Sequence, residues 1–136
     1  MSTTVCRMPD ASAPPPAVHG LEAEALEAVW ELGEAPVRAV MDRLNANAPA
    51  PRAYTTYMTT LARLHTKGLL ARRREGKTDF YSAVHSREAY ADLRAQAEVE
   101  ELVDEFGDVA LSHFARRMAQ LDPERRAALE RLAREG

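Results

Sequence analysis

The chain has 136 residues, 46% hydrophobic and only 6% aromatic, with a formal net charge of −3. That is room for one domain, or a small domain with an appendage, whose core Leu, Val, Ala and Met must pack. No window of about 18 residues is apolar enough for a transmembrane span. Residues 1–20 lack the apolar centre of a secretory signal, and the single cysteine, Cys6, excludes a disulfide framework and a Cys-rich zinc site; a soluble, cytoplasmic protein is expected.

Residues 1–19 carry Pro14, Pro15 and Pro16 among Ser, Thr and Ala. Such a segment buries too little apolar surface to offset its ordering entropy, and a disordered tail is expected. Residues 21–32 form a helix rich in Ala, Glu and Leu, with Leu26, Val29 and Trp30 on one face and Gly33 as its stop. A short connection, 34–36, leads to a second helix, 37–44, whose Val37, Val40, Met41 and Leu44 share a stripe behind Pro36. Residues 45–51 read as a loop. A third helix spans 55–67, with Met58, Leu61 and Leu64 as its expected buried stripe and Gly68 as its end.

The period then changes. Residues 69–74 and 79–84 suit two short strands, and the Gly-containing connection 75–78 makes them a hairpin. From Ser86, a candidate N-cap, a long helix runs to about Phe106, where Gly107 and Asp108 interrupt it. A further helix carries Leu111, Phe114, Ala115, Met118 and Leu121. Asp122 and Pro123 open a last one, reaching Arg134, with Ala128, Leu129 and Leu132 inward. The expected fold is mainly α with a small β-hairpin. A winged helix-turn-helix domain over 20–85 is followed by a helical dimerisation segment over 86–136.

Charge is segregated along this order. Residues 52–77 hold Arg52, Arg63, Lys67, Arg72, Arg73, Arg74 and Lys77 against Glu75 alone, while the chain on either side is acidic. A cationic island in an acidic protein suits a polyanion. On the third helix, Thr55, Thr56, Thr59 and Arg63 project away from Met58, Leu61 and Leu64. Short hydroxyls let a helix sit deep in a major groove roughly 12 Å wide, and an arginine can read guanine or clamp a phosphate. With Arg52 and Tyr54 at the helix entrance, and Arg73, Arg74 and Lys77 on the wing, these residues form the candidate DNA interface. Arg73 and Lys77 are the preferred phosphate contacts.

These same residues carry a family resemblance. Ala53-Tyr54-Thr55-Thr56, Thr59-x-Leu61-x-Arg63-Leu64 and Lys67-Gly68-Leu69 resemble, in this order, the recognition-helix signature of the penicillinase-repressor family. That family comprises the repressors of β-lactamase and methicillin-resistance operons and the copper-responsive repressors. Val29-Trp30 and Val37-Arg38-Ala39-Val40 are similar to its first two helices, and the wing ends in its aromatic strand, Phe80-Tyr81. The resemblance is strongest as far as Tyr81 and looser beyond. It implies a homodimeric repressor that reads an inverted-repeat operator in double-stranded DNA with its winged helices. Release would come from cleavage in the dimerisation segment by a membrane-bound sensor protease answering β-lactam. The cleaved Asn-Phe bond of the family matches His113-Phe114 here. The copper branch uses paired C-terminal cysteines, which this chain lacks.

After Ser86 the apolar stripes have too little mass for an independent core and need a partner. The expected dimer contacts are Tyr90, Leu93, Leu102 and Phe106 on the long helix, then Leu111, Phe114, Met118, Leu129 and Leu132. His19, His65, His85 and His113 lack zinc-ligand spacing. No metal, cofactor, membrane insertion or catalytic constellation is expected. The alternative to a DNA-binding repressor is a winged-helix module whose basic face meets an acidic protein. Selective binding of the gene's own promoter region over scrambled duplex separates the two.

Overall fold

A computed structural model describes residues 13–136, in two compact units that meet at Ala95 and Gln96. In the first unit the order is α1 (Gly20–Leu32), β1 (Ala35–Pro36), α2 (Val37–Asn45), α3 (Tyr54–Thr66), β2 (Leu70–Glu75) and β3 (Thr78–Ala83), leading into α4 (Arg87–Phe106). Three helices, then a hairpin, make a winged helix. Its core joins Leu26 and Val29 of α1, Val37 and Val40 of α2, Tyr57, Leu61 and Leu64 of α3, and Leu69, Leu70 and Tyr81 of the wing.

The sheet has one strand more than the sequence suggests. Ala35 and Pro36, expected as a plain connection, pair antiparallel with Tyr81 and Phe80, giving the order β1-β3-β2. Proline is tolerated there because β1 is an edge strand. The hairpin is also tighter than expected. Glu75 pairs with Thr78, so only Gly76 and Lys77 turn the chain. Gly76 has φ 63 and Lys77 does not have positive φ, as a type II′ turn asks of its two central residues.

Two helix ends aim the elements that follow. At the end of α3, Gly68 at φ 82 donates to the His65 carbonyl at 3.0 Å, and Leu69 donates to the Leu64 carbonyl at 3.0 Å. This pair of bonds is a Schellman motif, which only a residue at ease with positive φ closes cheaply. It turns the chain directly into β2. At α4, the Ser86 hydroxyl accepts from the Ala89 N–H at 3.0 Å, so the expected cap is present without a capping-box partner.

Two expectations need correction. The buried stripe of α3 is Tyr57, Thr60, Leu61 and Leu64, while Met58 is 44% exposed. Tyr57, Leu61 and Leu64 stand at i, i+4 and i+7, a stripe that fits the helical period as well as Met58 does and buries more area. Tyr90, expected as a dimer contact, packs within the first unit and is half-buried there. Its ring lies 5.7 Å from that of Trp30, whose indole N–H donates to the His85 carbonyl at 2.8 Å. Burial pushes the Tyr90 phenol above its ordinary value. The proline-rich segment is not loose throughout. Pro15 is buried, its carbonyl accepts from Arg94 at 2.9 Å, and the Pro16 carbonyl accepts from the Tyr90 hydroxyl at 2.8 Å. Proline has no N–H to satisfy, so donors from α4 suffice to seat this stretch. The rest of the expected tail, with Cys6, lies outside the described residues.

The second unit holds the end of α4, then α5 (Asp108–Ala119) and α6 (Pro123–Glu135). The Asp122 side chain accepts from the Arg125 N–H at 2.9 Å, with Pro123 at the first helical position. Among its described residues only Ala97 and Ala110 are buried, whereas Leu102, Phe106, Leu111, Phe114 and Leu132 are exposed.

Leu61 is fully buried at the centre of the first core. Leu61→Ala is expected to lower unfolding free energy by about 2–5 kcal/mol, read from the urea midpoint. A loss within the scatter of surface substitutions would place the core elsewhere.

Candidate nucleic-acid interface

The exposed face of α3 is set by one polar side chain. Asn45 ends α2, and its Oδ1 accepts from the Tyr57 hydroxyl at 2.6 Å and from the Arg52 N–H at 3.0 Å. Its Nδ2 donates to the Arg52 carbonyl at 3.0 Å. Three bonds from one amide therefore fix the end of α2, the loop to α3 and the first turns of α3 in one register. Tyr57 is fully buried, so its hydroxyl needs such a partner. No sequence period marks Asn45, which reads as a loop residue.

With Tyr57 turned inward, Thr55, Thr56, Thr59 and Arg63 lie exposed along α3, as expected. Ala53 caps the helix with no side-chain hydrogen bond, and the Thr56 N–H donates to its carbonyl at 3.1 Å. Tyr54 is 42% exposed, and the Arg38 guanidinium sits over its ring at 5.8 Å. Arg38 thus brings α2 to the entrance of α3. Nothing near it in the chain signals this, because the contact depends on how the two helices cross.

The cations divide into two sets. Arg43 pairs with Glu31 at 2.5 Å, Lys67 with Glu22 at 2.5 Å, and Arg87 with Glu27, all on the helical body. Arg52, Arg63, Arg72 and Lys77 make no side-chain ion pair with any described residue, and Arg74 has only a long one, 3.9 Å to Asp79. All five are exposed.

Arg73 departs from the reading of its sequence. It is paired across to Phe80 in the hairpin, and its guanidinium lies 4.9 Å from the centre of that ring. Its Nε and Nη2 donate to the two carboxylate oxygens of Glu34 at 3.0 and 2.8 Å, while Nη1 donates to Glu75 at 2.6 Å. Those hydrogen bonds hold the Glu34 carboxyl below the usual carboxylate range and raise the already high value of Arg73.

In the second unit, the expected contacts Leu102, Phe106, Leu111, Phe114 and Leu132 are exposed, while Met118 and Leu129 are half-buried. Leu93, which belongs to the first unit, is half-buried too. The His113–Phe114 bond lies inside α5. Among the described residues no group of three His, Cys, Asp or Glu is placed to hold a metal, and no helix is long and apolar enough to cross a membrane.

The family model described as penicillinase repressor matches residues 19–135. No curated protein matches the chain. Among solved structures it is similar to a MarR family protein from Bacillus stearothermophilus, at 18% identity and a TM-score of 0.45, covering 79% of this chain and 74% of that one. It is also similar to Bordetella bronchiseptica BpsR, in a structure that addresses regulation of that protein's DNA binding by 6-hydroxynicotinic acid, at 19% identity and a TM-score of 0.41. There the match covers 87% of this chain and 74% of that one. The Giardia lamblia Hop2–Mnd1 complex matches at 20% identity and a TM-score of 0.35, over 85% of this chain and 77% of that one.

Asn45→Ala strands the buried Tyr57 hydroxyl, and the expected loss is about 1–3 kcal/mol. Tyr57→Phe made on top of Asn45→Ala then costs less than it does alone, because the stranded hydroxyl is gone. Additive losses in denaturant unfolding would show that the two groups do not share this bond.

Proposed function

This chain belongs to the penicillinase repressor family, and from that premise we propose that it is a homodimeric repressor acting on an inverted-repeat operator. A DNA-binding transcriptional regulator is what the family and the winged helix make it. The observation that carries the finer reading is the exposed row Thr55, Thr56, Thr59 and Arg63 on α3, flanked by cations that no described carboxylate holds closely. In this reading α3 enters the major groove, where the hydroxyls and Arg63 meet base edges and phosphates. Arg52 and Tyr54 grip the backbone at the entrance of α3, and the wing grips it with Arg74 and Lys77.

What supports the dimer reading is what the second unit lacks. A helical segment with two buried alanines and a series of exposed Leu, Phe and Val side chains has no core of its own to close. A two-fold partner offering the same surface covers it, and two winged helices then match two operator half-sites. For release, the sequence keeps the Phe of the family's cleaved Asn-Phe bond and has His113 in place of the Asn. Because that bond lies inside α5, a sensor protease has to open the helix before cutting it.

Gel shifts with the gene's own upstream duplex, against scrambled duplex, test the reading. A base-reading Arg63 means that Arg63→Ala costs about 1–3 kcal/mol and relaxes preference between operator variants. Lys77→Ala is expected to weaken all duplexes evenly and lower the salt slope by about one unit. Equal affinity for scrambled DNA would instead favour the acidic-protein partner. Sedimentation equilibrium is expected to give a dimer that Leu102→Glu dissociates, since a charge there cannot be buried unpaired; an unchanged dimer would move the interface away from α4.

A further inference from the structure

We propose that Arg73 is a positioning residue of the DNA interface, not a phosphate ligand. Its guanidinium, held between Glu34 and Glu75 over the Phe80 ring, fixes the wing so that Lys77 at its tip meets the sugar-phosphate backbone. This rests on the DNA-binding reading above and deepens it.

The geometry is that of a latch across the sheet. Glu34 immediately precedes β1 at one edge, Arg73 lies on β2 at the other, and β3 runs between them. Reaching over β3, Arg73 stacks on Phe80 and meets Glu34, 39 residues distant in the chain, with a two-pronged fork at 3.0 and 2.8 Å. A planar guanidinium suits this double contact, which a lysine cannot reproduce. The third donor takes Glu75, two residues along the same strand face.

Charge argues against phosphate binding at the same group. Two carboxylates surround one guanidinium, so the cluster as a whole is negative. A phosphate approaching Arg73 would have to displace both carboxylates and then lie against them. Lys77 stands free at the turn, and Arg72 points to the opposite strand face from Arg73. Exposed ion pairs add little to global stability, so the consequence to look for is where the wing sits when DNA binds.

Salt dependence separates positioning from direct contact, because each phosphate contact adds about 0.9 to the slope of log affinity against log salt. The probe is a labelled duplex from the gene's own upstream region, and each variant is first checked for an unchanged urea midpoint. Positioning predicts that Arg73→Ala, Arg73→Lys and Glu34→Gln each flatten the slope by about one unit. It also predicts that adding Lys77→Ala to any of them changes nothing further, since the contact it removes is already lost. The proposal is overturned if Arg73→Lys and Glu34→Gln keep or steepen the slope, or if Lys77→Ala still subtracts its own unit in the Arg73→Ala background. A wild-type protein that binds no duplex overturns the underlying reading instead, before any variant is compared.

Discussion

Everything proposed for α3 depends on the hydrogen bond between the Tyr57 hydroxyl and Asn45. A buried tyrosine is a large apolar anchor with one polar atom that cannot go unsatisfied. Satisfying it with Asn45 rotates α3 until Tyr57, Leu61 and Leu64 face the core. Thr55, Thr56, Thr59 and Arg63 then face outward as a consequence. Because the same amide also holds both backbone groups of Arg52, the loop cannot shift independently of the helix it introduces. The fixed orientation that a groove-reading helix requires thus comes from a local polar contact, and the surrounding Leu and Val packing supplies the bulk of the stability.

Ion pairing then decides how the cations are used. The body's Lys67, Arg87 and Arg43 are paired with Glu22, Glu27 and Glu31, all on α1, and the wing's Arg73 is paired with Glu34 just after it. These exposed pairs contribute little stability each. Their larger effect is on the field, because they leave the positive potential concentrated on α3 and the wing. A basic island that looks uniform in sequence becomes, in three dimensions, a few free cations beside several occupied ones. In the proposed interface such a surface attracts a duplex over a restricted patch, where counterion release contributes to affinity.

The limits of the sequence follow from the range of the interactions. Helices α1, α2 and α3, the hairpin and the Asp122 cap were legible because their signals are local: a 3.6-residue apolar stripe, a turn glycine, an N-cap followed by proline. Strand β1 was not, since two residues including a proline carry no period and become a strand only by pairing with β3. The stripe on α3 was ambiguous between Met58 and Tyr57, and a partner at Asn45 resolved it. The roles of Arg73, Arg38 and Tyr90 were hidden for the same reason. Glu34, Tyr54 and Trp30 reach them only once the chain is folded. The exposed threonines and Arg63 could be read in advance because a helical face needs only the spacing of its own residues.

The second unit carries the remaining thermodynamic weight. Where a segment has no closed core, its order and its association are one equilibrium, and apparent stability rises with protomer concentration. In the proposed dimer, two linked winged helices gain over one because the second half-site is met at a high effective concentration once the first is bound. On that proposal, weakening the helical segment lowers operator occupancy even if every contact to DNA is left intact. On the proposed reading the second unit thus controls the first without any change in the winged helix, and a break in α5 suffices to release DNA. The two alanines buried there, Ala97 and Ala110, contribute little apolar burial, and in the proposed dimer the second copy's apolar surface supplies what the single chain does not.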